Sequence, residues 1–295
     1  MIERTLPASP APAPTPPTGR IRLLGQVMDL VTPGQVLDHV AEAVAAGRRS
    51  VVANHNLNSL NLVRDQAAMR AFYGSADLVQ IDSTPLIAFG RMLGHPVSRA
   101  HRSTYLDWRD AFWRRAAERG WRVFYLGGTA KVGAEAVRRL SALYPGARVG
   151  SASGYFDPEN AWANGDVLKL IAAFRPDVLM VGMGMPRQEA WIARNLSALP
   201  ACVILNVGAA FDYEAGVQKA APRWMGRAGI EWLYRLAHDP RRLFRRYCIE
   251  PWRLAGPALA DIGAALSRGR GQTPSRVLNQ STKAGTPRSI GVEGR

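Results

Sequence analysis

The sequence is poor in cysteine and in long apolar stretches, and each shortage excludes a class of protein. Its 295 residues include only two cysteines, Cys202 and Cys248, too few for a disulfide framework in a chain of this size. Cys202 opens an apolar run, as a small core residue does, so we expect a reducing compartment. No stretch approaches the roughly 18 consecutive apolar residues of a membrane-spanning helix, so any membrane contact is expected to be peripheral.

Acidic residues are also scarce relative to basic ones. The chain has 38 Lys and Arg against 23 Asp and Glu, which gives a formal charge of +15 and a pI near 10.8. Such a balance favours anionic partners, namely nucleic acid, anionic lipid or phosphorylated substrates, without choosing among them. The hydrophobic content of 47% is ample for a buried core, so a folded enzyme remains feasible.

Several catalytic motifs are missing from the sequence. Its five histidines are dispersed, and it contains no HExxH, no CxxC and no Asp-x-Asp pair that would hold a metal on a nucleotide diphosphate. We therefore predict a metal-independent mechanism without a cofactor. The GxSxG elbow, the GxxxxGK[ST] loop and the GxGxxG fingerprint are absent too, which disfavours a serine hydrolase, a P-loop NTPase and an NAD enzyme.

Short aliphatic runs alternate with helical periods along the chain. This alternation predicts an α/β fold, a Rossmann-like and largely parallel sheet with helices on both faces. Helices are predicted at residues 133–144 and 167–174, where apolar side chains recur at helical spacing. Strands are predicted at residues 50–53, 78–81, 123–126, 178–181 and 203–207.

Composition divides the chain into four parts. Residues 1–20 form a Pro/Ala-rich leader without the apolar core of an export signal, and residues 267–295 are polar, so we expect both to be disordered. Residues 21–221 are predicted to form the catalytic body. Residues 222–266 are predicted to be a short, helical, basic and aromatic appendage that associates with the membrane, because residues 219–253 carry nine Lys and Arg, three Asp and Glu and six aromatic residues.

Glycines follow several predicted strands, where ligands of parallel sheets collect. Gly127 and Gly128 precede a helix, and they mark either a phosphate-binding turn or a tight turn without a ligand. After the next strand, Gln188 follows in the first turn of a helix and is either a ligand contact or an ordinary solvated residue. The remaining donor-binding candidates at these strand ends are Gly182, Gly184, Pro186, Gly208 and Asp212.

Asp82 stands at the tip of a predicted strand and is followed by Ser83 and Thr84. A carboxylate in this position suits a general base, which must reach the proton that it removes. The alternative is that Asp82 caps the helix that begins near Pro85, a role that aspartate fills commonly. Both interpretations stay open on the residues alone.

The chain resembles the WecG/TagA/CpsF glycosyltransferases of bacterial surface polysaccharide synthesis. The resemblance covers most of the chain outside its tails, and its motifs are specific in combination. They are VVANHNLNSLNLVRD (51–65), ADLVQIDSTPLI (76–87), YLGG (125–128), YPGARVGSASGYF (144–156), RPDVLMVGMGMPRQEAWI (175–192), NVGAAFDYEAG (206–216) and APRWMGRAGIEWLYRLAHDPRRLFRRY (221–247).

The resemblance implies an inverting, metal-independent transfer of a sugar from a UDP-sugar to a saccharide on polyprenyl diphosphate, in exopolysaccharide, capsule or related surface glycan synthesis. It implies a cytoplasmic enzyme that is peripheral on the inner face of the cell membrane. The implied partners are a lipid-linked acceptor and an anionic membrane surface, and nucleic acid is not expected to be a partner. A homo-oligomer is compatible with it. The implied catalytic residues are Asp82 as base, Asn56, Arg99 and Gln188, and the implied diphosphate and membrane contacts are Arg223, Arg227, Arg235, Arg241 and Arg242.

Three positions depart from the family pattern. Asn54 stands where the family usually has threonine, Ser83 where glycine is common, and residues 102–104 replace a typical Gly-x-Asp. These departures concern which sugars bind more than the type of reaction. Composition alone leaves two other functions open. One is a basic nucleic-acid-binding protein, in which arginines follow a phosphate backbone and aromatic residues stack on bases. The other, less favoured, is a nucleotide-sugar oxidoreductase or epimerase.

Overall fold

The computed structural model describes residues 19–218, 225, 231–238 and 240–269. Within them, six parallel strands form one sheet in the order β4-β3-β8-β7-β5-β6, and an antiparallel hairpin, β1-β2, lies before it in the chain. This confirms the predicted α/β class. The strands are β1 Arg20–Leu23, β2 Gln26–Asp29, β3 Ser50–His55, β4 Leu78–Ile81, β5 Arg122–Gly127, β6 Arg148–Ala152, β7 Val178–Gly182 and β8 Val203–Asn206.

Helices connect the strands, and several of them begin at a polar N-cap residue. Thr129 and Asn160 accept hydrogen bonds from the first backbone N–H groups of their helices, which therefore start earlier than the apolar periodicity indicates. The helices of the body are α1 Pro33–Ala45, α2 Leu57–Asp65, α3 Ala67–Gly74, α4 Thr84–Met92, α5 Tyr105–Glu118, α6 Ala130–Leu143, α7 Ala161–Phe174, α8 Arg187–Asn195 and α9 Ala210–Glu214.

The sheet is covered by apolar clusters on both faces. Along β5, Val123 and Tyr125 belong to one buried cluster, whereas Phe124 and Leu126 belong to the other. This alternation follows the two-residue period of a strand and explains why the central strands read as continuous apolar runs. The polar residues that follow the strands thus lie at the carboxyl ends of the strands, outside the two apolar clusters.

The C-terminal segment packs against the body. Leu254 is buried among residues of the β1-β2 hairpin, and Asp261 accepts a hydrogen bond from the backbone N–H of Leu24 (2.6 Å). Asn61 of α2 donates to the Glu250 carbonyl (3.0 Å). The elements here are α10 Glu231–His238, α11 Pro240–Phe244, a π turn Arg245–Ile249, a 3-10 turn Glu250–Leu254 and α12 Ala255–Gly269.

Leu254→Ala is expected to lower the free energy of unfolding by about 2 kcal/mol, because it leaves a cavity in the apolar cluster that Leu254 shares with the hairpin. Urea unfolding of the full chain measures this change. Leu266→Ala is the matched control, since Leu266 lies on the adjoining helix α12 with 68% of its surface exposed, and it is expected to leave stability unchanged. Equal stability of the two variants would contradict the docking of this segment.

Candidate active site

The carboxyl ends of the sheet strands bring together the candidates that the sequence predicts. The parallel pairing of β3 and β4 continues one residue past β4, because the backbone N–H of Asp82 donates to the carbonyl of His55, the last residue of β3 (2.8 Å). Asp82 and Asn56 therefore follow adjacent strands at one edge. The β5, β7 and β8 ends lie beside them in the same sheet.

The N-cap position considered for Asp82 belongs to another residue. The N-cap position of α4 is occupied by Ser83, and the helix begins at Thr84. The chain at Arg102 pairs with the end of β4, where the Ser103 N–H donates to the Ile81 carbonyl (2.9 Å). Asp82 thus lies half-buried between the end of β3 and the segment around Arg102, at the tip of its strand. The role of Asp82 as a base stays a prediction.

Asn56 has a structural role in addition to its predicted one. It is the N-cap of α2, and its Oδ1 accepts from the backbone N–H groups of Asn58 (3.0 Å) and Ser59 (3.1 Å). The preceding His55 is buried, its ring stacks on Tyr73 at 3.9 Å, and burial lowers the pKa of this imidazole to about 3. His55 is therefore a neutral packing residue, and the catalytic role of Asn56 stays a prediction.

Tyr73 links this end of β3 to charged neighbours. Its hydroxyl donates to the Asn54 carbonyl (2.7 Å), and its pKa is raised by burial first and then by the nearby carboxylates of Glu189 and Asp82. The sequence analysis did not single out Tyr73, because its place beside the strand ends depends on the packing of α3. The charges of both Glu189 and Asp82 thus raise the pKa of the Tyr73 hydroxyl.

The glycines at the strand ends are of two kinds. Gly127 and Gly182 are buried, and a Cβ on either would overlap a backbone carbonyl of the adjacent strand end. Gly128, Gly184 and Gly208 have φ values of +56°, +80° and +55°, which only glycine adopts without strain. Space around Gly184 and Gly208 is open, so these turns, rather than Gly127 and Gly182, present backbone to the outside.

Asp212 lies beside the Gly128 turn. Its Oδ1 is 3.8 Å from the position that a Cβ on Gly128 would take, and partial burial raises the pKa of this carboxyl. Tyr125 donates toward the carbonyls of Gly182 and Gly208 at 3.2 Å each, which joins the β5, β7 and β8 ends. An aromatic side chain that the sequence analysis missed, Tyr155, is 74% exposed just after β6.

Gln188 is buried, and both of its polar atoms are engaged within the protein. Its Oε1 accepts from the Gly184 N–H (3.2 Å), and its Nε2 donates to Glu189 Oε1 (2.7 Å). Gln188 therefore holds the Gly184 turn; direct contact with substrate stays a prediction. Pro186 occupies the N-cap position of α8 after a cis peptide bond. The guanidinium of Arg187 donates a hydrogen bond to the Phe156 carbonyl.

The predicted arginines are placed only in part. Arg99 is exposed in a 3-10 turn, Arg99–His101, just before the residue that pairs with β4. Arg241 is exposed on α11. Arg235 and Arg242 lie within α10 and α11, but their side chains fall outside the described residues, as do Arg223 and Arg227 entirely.

In the part of the chain that the structure describes, no three His, Cys, Asp or Glu side chains cluster as metal ligands would. Whether the reaction needs a metal stays a prediction. In the same part of the chain, no helix has both the length and the hydropathy needed to cross a bilayer.

The chain is similar in sequence to known glycosyl transferases. The sequence pattern of the glycosyl transferase WecG/TagA/CpsF family matches residues 21–265, which is most of the chain. A protein of Staphylococcus aureus strain MRSA252 is 29% identical over 230 residues, which are 77% of this chain and 88% of that protein. Its name is N-acetylglucosaminyldiphosphoundecaprenol N-acetyl-beta-D-mannosaminyltransferase, and the equally named protein of strain MW2 is 28% identical over the same shares.

The family match spans the elements that form the site, from the β1-β2 hairpin to α12. It includes Asp82 at the β4 end, the glycine turns of β5, β7 and β8, and the C-terminal segment that packs on α2. Since the match covers far more than half of the sequence, it identifies more than an isolated motif. The chain belongs to the WecG/TagA/CpsF family and is a glycosyltransferase of surface polysaccharide synthesis.

Proposed function

We propose that the enzyme transfers a sugar from a UDP-sugar to a saccharide carried on polyprenyl diphosphate, with inversion and without a metal. The observation that carries this proposal is the placement of Asp82 and the open glycine turns at one edge of the sheet. A carboxylate at that edge suits an acceptor hydroxyl, and backbone turns next to helix N-termini suit a diphosphate.

The named relatives support the acceptor class. Their names give an N-acetylglucosamine joined through diphosphate to undecaprenol as the acceptor and N-acetylmannosamine as the transferred sugar. At 28–29% identity we take over the chemistry of the acceptor, a lipid diphosphate sugar, and treat the two sugars only as the first to be tested.

In the proposed reaction, Asp82 accepts the proton of an acceptor hydroxyl while that oxygen attacks the anomeric carbon. The bond from the anomeric carbon to the UDP oxygen breaks in the same displacement, so the configuration inverts. The charge that develops on UDP is stabilised by the amides of the Gly128 and Gly208 turns, the N-terminus of α6 and arginines of residues 219–253. Preorganised donors of this kind are worth about 3 kcal/mol each.

The donor nucleoside is proposed to lie over Gly128. The carboxyl of Asp212 borders this turn and suits a ribose hydroxyl, and the exposed ring of Tyr155 at the neighbouring strand end suits a base. Incubating the purified enzyme with a panel of UDP-sugars and synthetic N-acetylglucosaminyl diphosphoundecaprenol tests the proposal. We expect transfer from at least one donor; no transfer from any would contradict it.

The C-terminal segment is proposed to hold the enzyme on the inner face of the cell membrane. Phe244, Ile249 and Trp252 are 55%, 54% and 78% exposed, and the side chain of Arg245 among them is 79% exposed. Exposed apolar side chains mixed with arginines are typical of segments that lie in a lipid interface. Each basic residue near an anionic leaflet strengthens the free energy of membrane binding by about 1 kcal/mol.

Replacing Phe244, Ile249 and Trp252 together with alanine is expected to lower binding to anionic liposomes by about tenfold or more, because the apolar contact is lost. Flotation of the full chain with phosphatidylglycerol vesicles measures this. Trp162→Ala is the matched control, since Trp162 is 83% exposed on α7 of the body. Unchanged flotation of the triple variant would contradict the proposal. Point variants are preferable to truncation, since residues 250–269 pack on the body.

A further inference from the structure

A continuous run of side-chain hydrogen bonds joins the end of β3 to the Gly184 turn. Asn54 Nδ2 donates to both the Oδ1 (3.3 Å) and the carbonyl (3.0 Å) of Asn206, and Asn206 Nδ2 donates to Glu189 Oε1 (2.8 Å). Gln188 Nε2 donates to the same carboxylate oxygen, and Gln188 Oε1 accepts from the Gly184 N–H. We call Asn54, Asn206, Glu189 and Gln188 the amide relay.

The relay has a fixed direction. A carboxylate oxygen accepts hydrogen bonds, so the amides of Asn206 and Gln188 must both turn their nitrogen atoms toward Glu189. Each amide then presents its oxygen outward, one to Asn54 and the other to the Gly184 N–H. Reversing either amide would oppose two acceptors, so Glu189 determines the orientation of the whole relay.

The relay is buried in its central part. Glu189 is fully buried, and Gln188 and Asn206 are each 3% exposed. Hydrogen bonds in such surroundings are costly to leave unmade, because the buried partner loses water without a replacement. Removing one amide therefore affects its neighbours along the relay rather than a single contact.

The two ends of the relay carry different parts of the proposed site. Asn54 lies two residues before Asn56, and its own carbonyl is held by Tyr73 beside Asp82. The other end is the open turn at Gly184, where φ is +80°. Between the strands the backbone ladder of β3 and β8 ends at Val52 and Leu205, so beyond it the Asn54 and Asn206 side chains connect the strand ends.

We propose that Asn54 is a positioning residue, which acts through Asn206, Glu189 and Gln188 to set the Gly184 turn relative to the Asp82 side of the site. Substitution of Asn54 removes none of the groups that contact substrate, but it makes the positions of these groups relative to one another less fixed. Misplacement of about 1 Å can lower turnover by about 10²-fold. The catalytic part of this inference rests on the proposed function; the mechanical part does not.

Amide hydrogen exchange of the substrate-free enzyme tests the mechanical part. Asn54→Ala is expected to speed exchange at the Gly184 amide by about tenfold. The effect is indirect, because the loss of Asn54 removes one hydrogen-bonding partner from the amide relay that ends at Gly184. Gln188→Ala, which removes the direct partner, is expected to have at least that effect. Asn164→Ala is the matched control. Asn164 forms hydrogen bonds with Asn195 and Trp191 of α8, and its loss is expected to leave the exchange rate of the Gly184 amide unchanged.

Asn54→Asp, which keeps the shape but removes the donor, serves as a second variant if alanine prevents folding, and exchange is again expected to rise. Unchanged exchange at Gly184 in a folded Asn54 variant, while Gln188→Ala raises it, would overturn the proposal. A rise across the whole protein would also overturn it, since that indicates a general loss of stability.

Transfer kinetics test the catalytic part. Asn54→Ala is expected to lower kcat by about tenfold with little change in the KM for UDP-sugar. The double variant, Asn54→Ala with Gln188→Ala, is expected to lower kcat by less than the product of the two single effects. Effects that multiply would contradict coupling through the relay. If the wild-type enzyme transfers no sugar, the proposed function fails, whereas the exchange result stands by itself.

Discussion

Asp82→Asn is expected to reduce sugar transfer by about 10²–10⁴-fold while leaving UDP affinity and the unfolding midpoint unchanged. Removal of a general base typically costs this much, because the acceptor hydroxyl must then attack with its proton in place. Asparagine preserves the shape of the side chain, and the backbone N–H of residue 82 still donates to the His55 carbonyl. The loss is therefore expected in kcat, measured with saturating donor and acceptor.

The control for this variant is Asp166→Asn, which removes a carboxylate from the exposed face of α7, where it pairs only with Lys169 in the described contacts. Its turnover is expected to equal that of the wild type. Turnover of Asp82→Asn within about threefold of the wild type would show that another group takes the proton, since base catalysis contributes far more than that.

Gly182→Ala is expected to lower the free energy of unfolding by about 3 kcal/mol and to weaken UDP binding. A Cβ at Gly182 would overlap the Gly208 carbonyl and the Tyr125 hydroxyl, so the β7 and β8 ends must separate. Forcing atoms into a packed interior costs about 1–3 kcal/mol, at the upper end where the obstacle is backbone. Urea unfolding and calorimetric titration with UDP measure the two effects.

Gly165→Ala is the matched control for the same chemical change. Gly165 lies within α7, and nothing is within 4 Å of the position that its Cβ would take. Alanine is the better helix former, so stability is expected to rise by about 0.5–1 kcal/mol. A Gly182→Ala protein as stable as the wild type would contradict the close packing of the strand ends.

The central strands were predictable because they are buried on both faces. β4 has the predicted bounds, and the other four predicted strands differ by no more than two residues at either end. β6 was missed because it is an edge strand with partly exposed residues, and its Gly150 lies against Phe174. The β1-β2 hairpin was missed as well, since its four-residue strands carry too little pattern to predict pairing.

The candidate site was predictable in place but not in detail. Parallel sheets bind ligands beyond the carboxyl ends of their strands, so the positions of Asp82 and the glycine turns followed from the strand predictions. The sequence did not distinguish Gly182, which is needed for packing, from Gly184, which is needed for its backbone conformation. The partners of Gln188 and Asn54 depend on contacts between distant segments, which no local pattern encodes.

Charge alone favoured several kinds of anionic partner. The family match across residues 21–265 favours a glycosyltransferase over the nucleic-acid-binding protein and the oxidoreductase that composition left open. The donor, the acceptor and the membrane surface that we propose are all anionic, so the excess of basic residues agrees with the proposal.

The central claim is a single displacement in which Asp82 takes the acceptor proton. The measurement that tests it most directly is the anomeric configuration of the product formed from a UDP-sugar and a polyprenyl diphosphate-linked acceptor, determined by NMR. A product of inverted configuration, formed by the wild type and not by Asp82→Asn, is the predicted result. A product that retains the configuration of the donor would contradict it.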